Sequence, residues 1–104
     1  MGRPLVTLVP STTTITGAWF GVPTEDYVYR NFQVVETGTG AITATTILEV
    51  SNDGSNAITL ATVSSSGTTT AIDGFVSPAN WPYVRARVTA ISGTGAAVVV
   101  TMGV

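Results

Sequence analysis

Short runs of alternating apolar and polar residues, separated by turns rich in Gly, Pro and Ser, cover most of this chain. Successive side chains of an extended strand point to opposite faces, so a period of two predicts strands buried on one face. The clearest run is residues 83–91, in which Val84, Ala86 and Val88 share one face. Helix signals are nearly absent, because Thr, Val and Ile lose rotamer freedom in helices and pack well on sheets.

The alternation and the turn signals together predict eight strands. They are residues 5–9, 12–19, 27–36, 42–51, 57–63, 71–76, 83–91 and 96–102. The loop Ser51–Asn56 closes a hairpin, since its Asp-Gly pair supplies the positive φ that tight turns need. We predict a turn at residues 37–40 and a polar loop at residues 64–70. The Val34-Val35 pair interrupts the alternation and predicts a bulge.

Eight short strands in 104 residues predict one all-β domain over residues 1–104, an eight-stranded β-sandwich with a jelly-roll topology. An immunoglobulin-like Greek key is the alternative topology. Residues 1–10 are expected to form either an extended N-terminal arm or an edge strand. No apolar run approaches the ~20 residues of a membrane-spanning helix, and no export signal is recognisable at the start, so we expect synthesis in the cytoplasm.

The composition restricts the chemistry available to this domain. The chain contains four Arg, six acidic residues, and no Lys, His or Cys, with a net charge of −2. These absences exclude a Ser-His-Asp triad, a thiol nucleophile and imidazole or thiolate metal ligands. The lack of a basic patch argues against nucleic-acid binding. We therefore expect a structural or binding protein that is not an enzyme and needs no cofactor.

Charged residues make up only 10% of the chain, against about 25% in typical globular domains. Large uncharged surfaces are typical of interfaces, so this deficit predicts that neighbouring subunits cover part of the surface. The alternative is a monomer that its many Ser and Thr hydroxyls keep soluble.

The acidic residues offer few candidate sites. Loop 51–56 could supply oxygen ligands to calcium, but its sequence is also ordinary hairpin chemistry, which we favour, and we predict no metal site. Glu25 and Asp26 are adjacent and would point apart in an extended chain, unlike the converging carboxylates of a glycosidase. The other acids, Glu36, Glu49, Asp53 and Asp73, lie beside predicted turns, where we expect them to be solvated.

The aromatic residues have two interpretations each. Trp81 and Tyr83 could stack on sugar rings, but a Trp-Pro corner that packs the loop onto the sandwich is the favoured interpretation. Trp19 and Phe20 could fill the core or anchor an interface.

Two further groups of residues could contact a partner. Arg85 and Arg87 project from one face of a predicted strand, where they could bind an acidic partner or pair with Glu36 or Glu49. The N-terminal residues Leu5, Val6 and Leu8 could add a strand to a neighbour's exposed sheet edge.

Residues 47–55, 81–89 and 92–96 carry a resemblance to a known group of proteins. Their sequences, ILEVSNDGS, WPYVRARVT and SGTGA, resemble those of small β-sandwich virion proteins of tailed bacteriophages. The same pattern is similar to discoidin-like and carbohydrate-binding jelly rolls. The resemblance covers roughly residues 44–102 and carries over no catalytic residue.

This resemblance implies a capsid decoration (cementing) protein on the outside of a phage head. Such a subunit would contact the major capsid protein and copies of itself, as a dimer or trimer, and would stabilise the shell by interface burial. The alternatives are a carbohydrate-binding or receptor-binding module of a tail fibre or baseplate, with a glycan as ligand, and a tail or neck component. The candidate interface residues are Leu5, Val6, Leu8, Trp19, Phe20, Trp81, Tyr83, Arg85 and Arg87.

Overall fold

The protein was analysed as a computed structural model that describes residues 5–21, 30–77 and 81–103. These ranges contain seven strands and no helix. The strands are β1 (Leu5–Ser11), β2 (Ile15–Thr16), β3 (Phe20–Gly21), β4 (Arg30–Ser51), β5 (Ile58–Ser77), β6 (Tyr83–Ser92) and β7 (Ala97–Gly103). The prediction of an all-β fold is confirmed. No described segment forms a helix long and apolar enough to cross a membrane.

Strand β4 organises the sheet, in which every pairing is antiparallel. One edge of β4 pairs with β5 along almost its whole length. The other edge pairs with β7 over residues 31–37 and with β6 over residues 43–51. Beyond β7, the next strand is β1, and beyond β6 the next strands are β2 and β3. The result is a nearly closed antiparallel sheet, consistent with a sandwich-like or barrel-like fold.

Two halves of this sheet enclose the core. We name the β7 half (β1, β7, residues 31–37 of β4 and 70–77 of β5) and the β6 half (β2, β3, β6, residues 43–51 of β4 and 58–68 of β5). Buried side chains of both halves form one cluster: Leu8, Val9, Phe32, Val34, Val98, Val100 and Met102 with Ala44, Leu48, Val50, Val63, Val84, Ala86 and Val88. The shortest molecular dimension is 16 Å, which fits two packed layers.

The described residues form seven strands and not the predicted eight, because two predicted chain reversals are bends and one predicted strand is divided in two. Predicted strands 27–36 and 42–51 belong to the continuous β4, and strands 57–63 and 71–76 belong to β5; residues 27–29 lie outside the described part. At the bend the register shifts between Thr37 and Ala41, opposite Thr69, whose φ is 70°. The bulge expected at Val34-Val35 therefore lies further along β4. Gly and Thr at this place bend a long ribbon without ending its ladder.

The predicted strand at residues 12–19 is also wrong in extent. Only Ile15–Thr16 pairs with β6 there, and Phe20–Gly21 returns as a separate strand. Between them Gly17 N donates to Ala86 O at 2.9 Å. A Cβ at Gly17 would lie 2.8 Å from that oxygen, so only glycine allows this approach. Trp19 is thereby left between two short strands.

The N-terminal segment is an edge strand of its own sheet. β1 runs past Pro10 to Ser11 and pairs with β7. Leu8 and Val9 are buried in the core, and Val6 packs against it. Of the two expectations for this segment, the edge strand is the one observed over residues 5–11, so a free arm is not available there for a neighbouring sheet. The side chain of Leu5 lies outside the described residues.

Candidate functional site

The outer face of the β6 half carries a cluster of charged side chains. Register pairs Glu49 of β4 directly with Arg85 of β6. Arg85 Nε donates to Glu49 Oε1 at 2.7 Å, and Arg87 Nη2 donates to Glu49 Oε2 at 3.4 Å. We call Glu49, Arg85, Arg87 and Trp19 the arginine cluster. Two guanidinium groups share one carboxylate, so the cluster carries one positive charge in excess.

The alternation of β4 and β6 places this cluster. Leu48 and Val50, like Val84 and Ala86, face the core, so the residues between them point outwards. Of the sequence interpretations of Arg85 and Arg87, the pairing with Glu49 is observed and the pairing with Glu36 is not. Glu49 is only 7% exposed, so its expected solvation at a turn is wrong. The arginine side chains cover it.

Trp19 holds Arg85 from the other side. The guanidinium carbon of Arg85 lies 4.3 Å from the Trp19 ring centroid, which is a cation–π geometry. Trp19 is therefore neither a core residue nor free of contacts, whereas Phe20 packs against the core. The ion pair and the stacked ring together fix Arg85 as a structural residue of the face.

Arg87 is held less tightly and is more accessible. Its side chain is 37% exposed, against 21% for Arg85, and its contact with Glu49 is long. It lies in an open groove between β2 and β6 that Thr14, Thr16 and Thr89 also line. A guanidinium beside hydroxyl groups presents several hydrogen-bond donors, which suits a carboxylate. Sequence reasoning missed Thr14 and Thr16, because nothing in the sequence showed that so short a strand borders Arg87.

Trp81 and Tyr83 contact different parts of the molecule. Trp81 is half-buried and packs against the core, as the favoured interpretation predicted. Tyr83 is half-buried, and its ring lies against Gly54 of the turn, where a Cβ would meet it at 3.7 Å. The two rings do not share one open platform, so these contacts favour packing over sugar stacking.

The Ser51–Asn56 turn uses its carboxylate for its own backbone. Asp53 Oδ1 accepts from the N–H groups of Asn56 and Ser55 at 2.9 and 2.8 Å, and Ser51 Oγ donates to it at 2.8 Å. The Asn56 and Ser55 N–H bonds and the Ser51 hydroxyl hold the pKa of Asp53 well below its ordinary value. The hairpin interpretation accounts for this loop. No three potential metal-ligating side chains converge within the described ranges.

Glu36 is the second acid whose expected solvation is wrong. It is 2% exposed and faces the interior of the β7 half. The hydroxyl of Ser65 donates to Glu36 Oε2, whereas Glu36 Oε1 and the buried Thr46 Oγ1 have no partner in the described part. Because β4 continues past Glu36, this residue lies within a strand and not beside a turn. Glu25 and Asp26, the adjacent acids, lie outside the described residues.

Comparisons with known proteins supply no relative for this chain. No protein-family model matches it, and neither a curated protein nor a solved structure matches it. The resemblance to phage virion proteins therefore stays a prediction from the sequence.

Proposed function

We propose that the chain is a non-enzymatic structural protein of a phage particle, a capsid decoration subunit that binds the major capsid protein through the arginine cluster. The observation that carries the attachment is the partly exposed side chain of Arg87, whose positive charge is in excess over the single carboxylate of Glu49. The assignment to a phage particle depends on the sequence resemblance. The proposed location is the outer surface of the capsid, after synthesis in the host cytoplasm.

The arrangement suits recognition of an acidic surface. Arg85 is fixed by Glu49 and Trp19, so the surface beside Arg87 is already ordered before binding, and the entropy lost there is mainly that of the Arg87 side chain. Arg binds carboxylates through two parallel hydrogen bonds, which orients as well as attracts the partner. One such contact is weak, but repetition over a symmetric shell multiplies it.

The glycan-binding alternative receives less support from the same geometry. Sugar stacking needs an aromatic ring with one face open to solvent. Trp81 packs on the core and Tyr83 packs on the turn, so the two aromatic residues predicted to stack on sugars are both held by the fold. A tail or neck subunit shares the fold and would use the same surfaces, so the position of the partner distinguishes it.

The test is co-sedimentation of the purified chain with capsid shells of its own phage that lack it. Arg87→Gln removes the charge and keeps a hydrogen-bonding side chain, and we expect about tenfold weaker binding or more. Thr94→Asp in the exposed turn after β6 reaches the same net charge without touching the cluster and should bind normally. Absence of wild-type binding would refute the decoration function. Equal weakening by both variants would refute the role of Arg87.

A further inference from the structure

The outer face of the β7 half carries an apolar row that crosses four strands. Register aligns Ile72 of β5 with Val35 of β4, Val35 with Val99 of β7, and Val99 with Pro10 of β1. Ile72 is 63% exposed and Val99 is 38% exposed. Their neighbours Val34, Val98 and Val100 are fully buried, so the row points away from the core. We call this surface the apolar row.

Uncharged side chains, most of them polar, surround the apolar row. Gln33, Thr101 and Thr7 are aligned on one side of it, and Thr37, Thr70 and Ala97 on the other. No described side chain on this face is charged. The same molecule places Glu49, Arg85 and Arg87 together on the outer face of the other half.

From this arrangement we infer that the apolar row is the contact surface for a second copy of the chain, in a two-fold symmetric dimer. Hydroxyl and amide groups both donate and accept hydrogen bonds, so the rim of one copy complements the identical rim of another. In a two-fold interface the same patch occurs on both sides, and an uncharged patch meets itself without repulsion. The arginine cluster lacks this property, since self-pairing would bring Arg87 against Arg87. Sheets pack face to face in this way about 10 Å apart.

The size of the face sets the strength of the dimer. Four strands about 4.8 Å apart and seven residues long, at about 3.3 Å per residue, cover roughly 450 Å² on each copy. The pair would bury on the order of 900 Å², which is below the roughly 1,200 Å² of stable interfaces and in the range of weak, transient ones. A reversible dimer with a micromolar dissociation constant is therefore expected. This inference identifies one of the self-contacts within the proposed function, but it depends on the apolar row and not on Arg87.

Sedimentation equilibrium over a range of protein concentrations tests the inference. We expect the double variant Ile72→Thr/Val99→Thr, which keeps β-branched side chains, to weaken dimerisation about tenfold or more. Ile58→Thr is the control, because Ile58 is another exposed isoleucine of β5, at 51%, but lies in the β6 half. It should dimerise as the wild type does.

Three results would overturn the inference. The first is a wild-type chain that stays monomeric at about 0.5 mM, which is far above a micromolar dissociation constant. The second is a double variant that still dimerises as the wild type does. The third is a dimer that Ile58→Thr weakens as much as the double variant does. Shell binding by the double variant separates the two proposals. If the double variant is monomeric but still binds shells through Arg87, the decoration function is supported without the dimer. If the wild type dimerises but binds no shell, the dimer is supported without the decoration function. A monomeric wild type whose shell binding needs Ile72 and Val99 would assign this face to the capsid protein instead.

Discussion

The two outer faces of this sheet are built from antiparallel strands that share β4 and β5, but they differ in surface chemistry. The β6 half carries Glu49, Arg85 and Arg87, and Trp19 stacks on Arg85. The β7 half presents the apolar row and a rim of hydroxyl groups. On the first face the side chains contact one another and contribute to the fold. On the second face, Ile72 and Val99 are exposed to solvent. We propose from this comparison that the exposed apolar residues of the β7 half mediate self-association, whereas the charged residues of the β6 half contribute to stability and to attachment.

The largest expected effect is the loss of Arg85. Arg85→Ala removes the 2.7 Å ion pair and the stacking on the Trp19 ring, leaving the buried Glu49 with only a long contact to Arg87. We expect the free energy of unfolding to fall by roughly 2–3 kcal/mol, between the values for exposed and buried pairs. Urea unfolding measures it. Arg87→Ala is the control and should cost under about 1 kcal/mol; equal costs would contradict the division of roles.

The two buried acids should respond with opposite signs. Glu49→Gln removes the partner of two guanidinium groups and should destabilise by about 1–2 kcal/mol. Glu36→Gln keeps an oxygen acceptor for Ser65 and replaces a buried carboxylate by a neutral amide, which costs less to bury, so it should stabilise by about 1 kcal/mol. Thermal and urea unfolding of both variants at neutral pH decide the point. The same sign for both would show that burial, and not pairing, governs these positions.

A smaller effect is expected at the turn of the β6 half. The N–H groups of Asn56 and Ser55 lower the pKa of Asp53 in the folded chain below its value in the unfolded chain. The carboxylate therefore contributes stability above about pH 4, and this contribution is lost as the pH falls through the folded pKa. Asp53→Asn should be less stable than wild type at neutral pH, with the difference shrinking in acid. A difference that does not change with pH would exclude this linkage.

The smallest effect is predicted for the stability of the uncharged face. Ile72→Thr and Val99→Thr should each change the unfolding free energy of the monomer by under about 0.5 kcal/mol, because they are exposed. Dilute protein must be used for the measurement, since dimerisation itself stabilises the folded state. A large loss in dilute solution would mean that these side chains support the fold.

The fold class was readable from the sequence, but the path of the sheet was not. Alternation identified the inward residues of β6 and β7 correctly, as the burial of Val84, Ala86, Val98 and Val100 shows. The merging of four predicted strands into β4 and β5 was missed, because Thr-Gly-Thr-Gly and Ser-Ser-Ser-Gly fit a turn as well as a bend. Local propensity does not separate these two outcomes. The ladder between β4 and β5 decides them.

The candidate surfaces were predictable only in part. The shared face of Arg85 and Arg87 follows from their spacing of two, and Glu49 was one of two partners considered. The stacking of Trp19 on Arg85 depends on Gly17 bringing the chain close to β6, which no local pattern reveals. The apolar row consists of four residues from four strands that are far apart in the sequence. Their alignment depends on register, which the sequence does not specify by itself.

The salt dependence of self-association tests most directly the claim that the two faces have separate roles. Raising NaCl from about 0.05 M to about 0.5 M shortens the Debye length from roughly 14 Å to roughly 4 Å and screens contacts between charges. A dimer formed by the apolar row should keep the same dissociation constant, or bind slightly more tightly, over this range. A dissociation constant that rises about tenfold would mean that charged groups hold the dimer, and it would contradict the account.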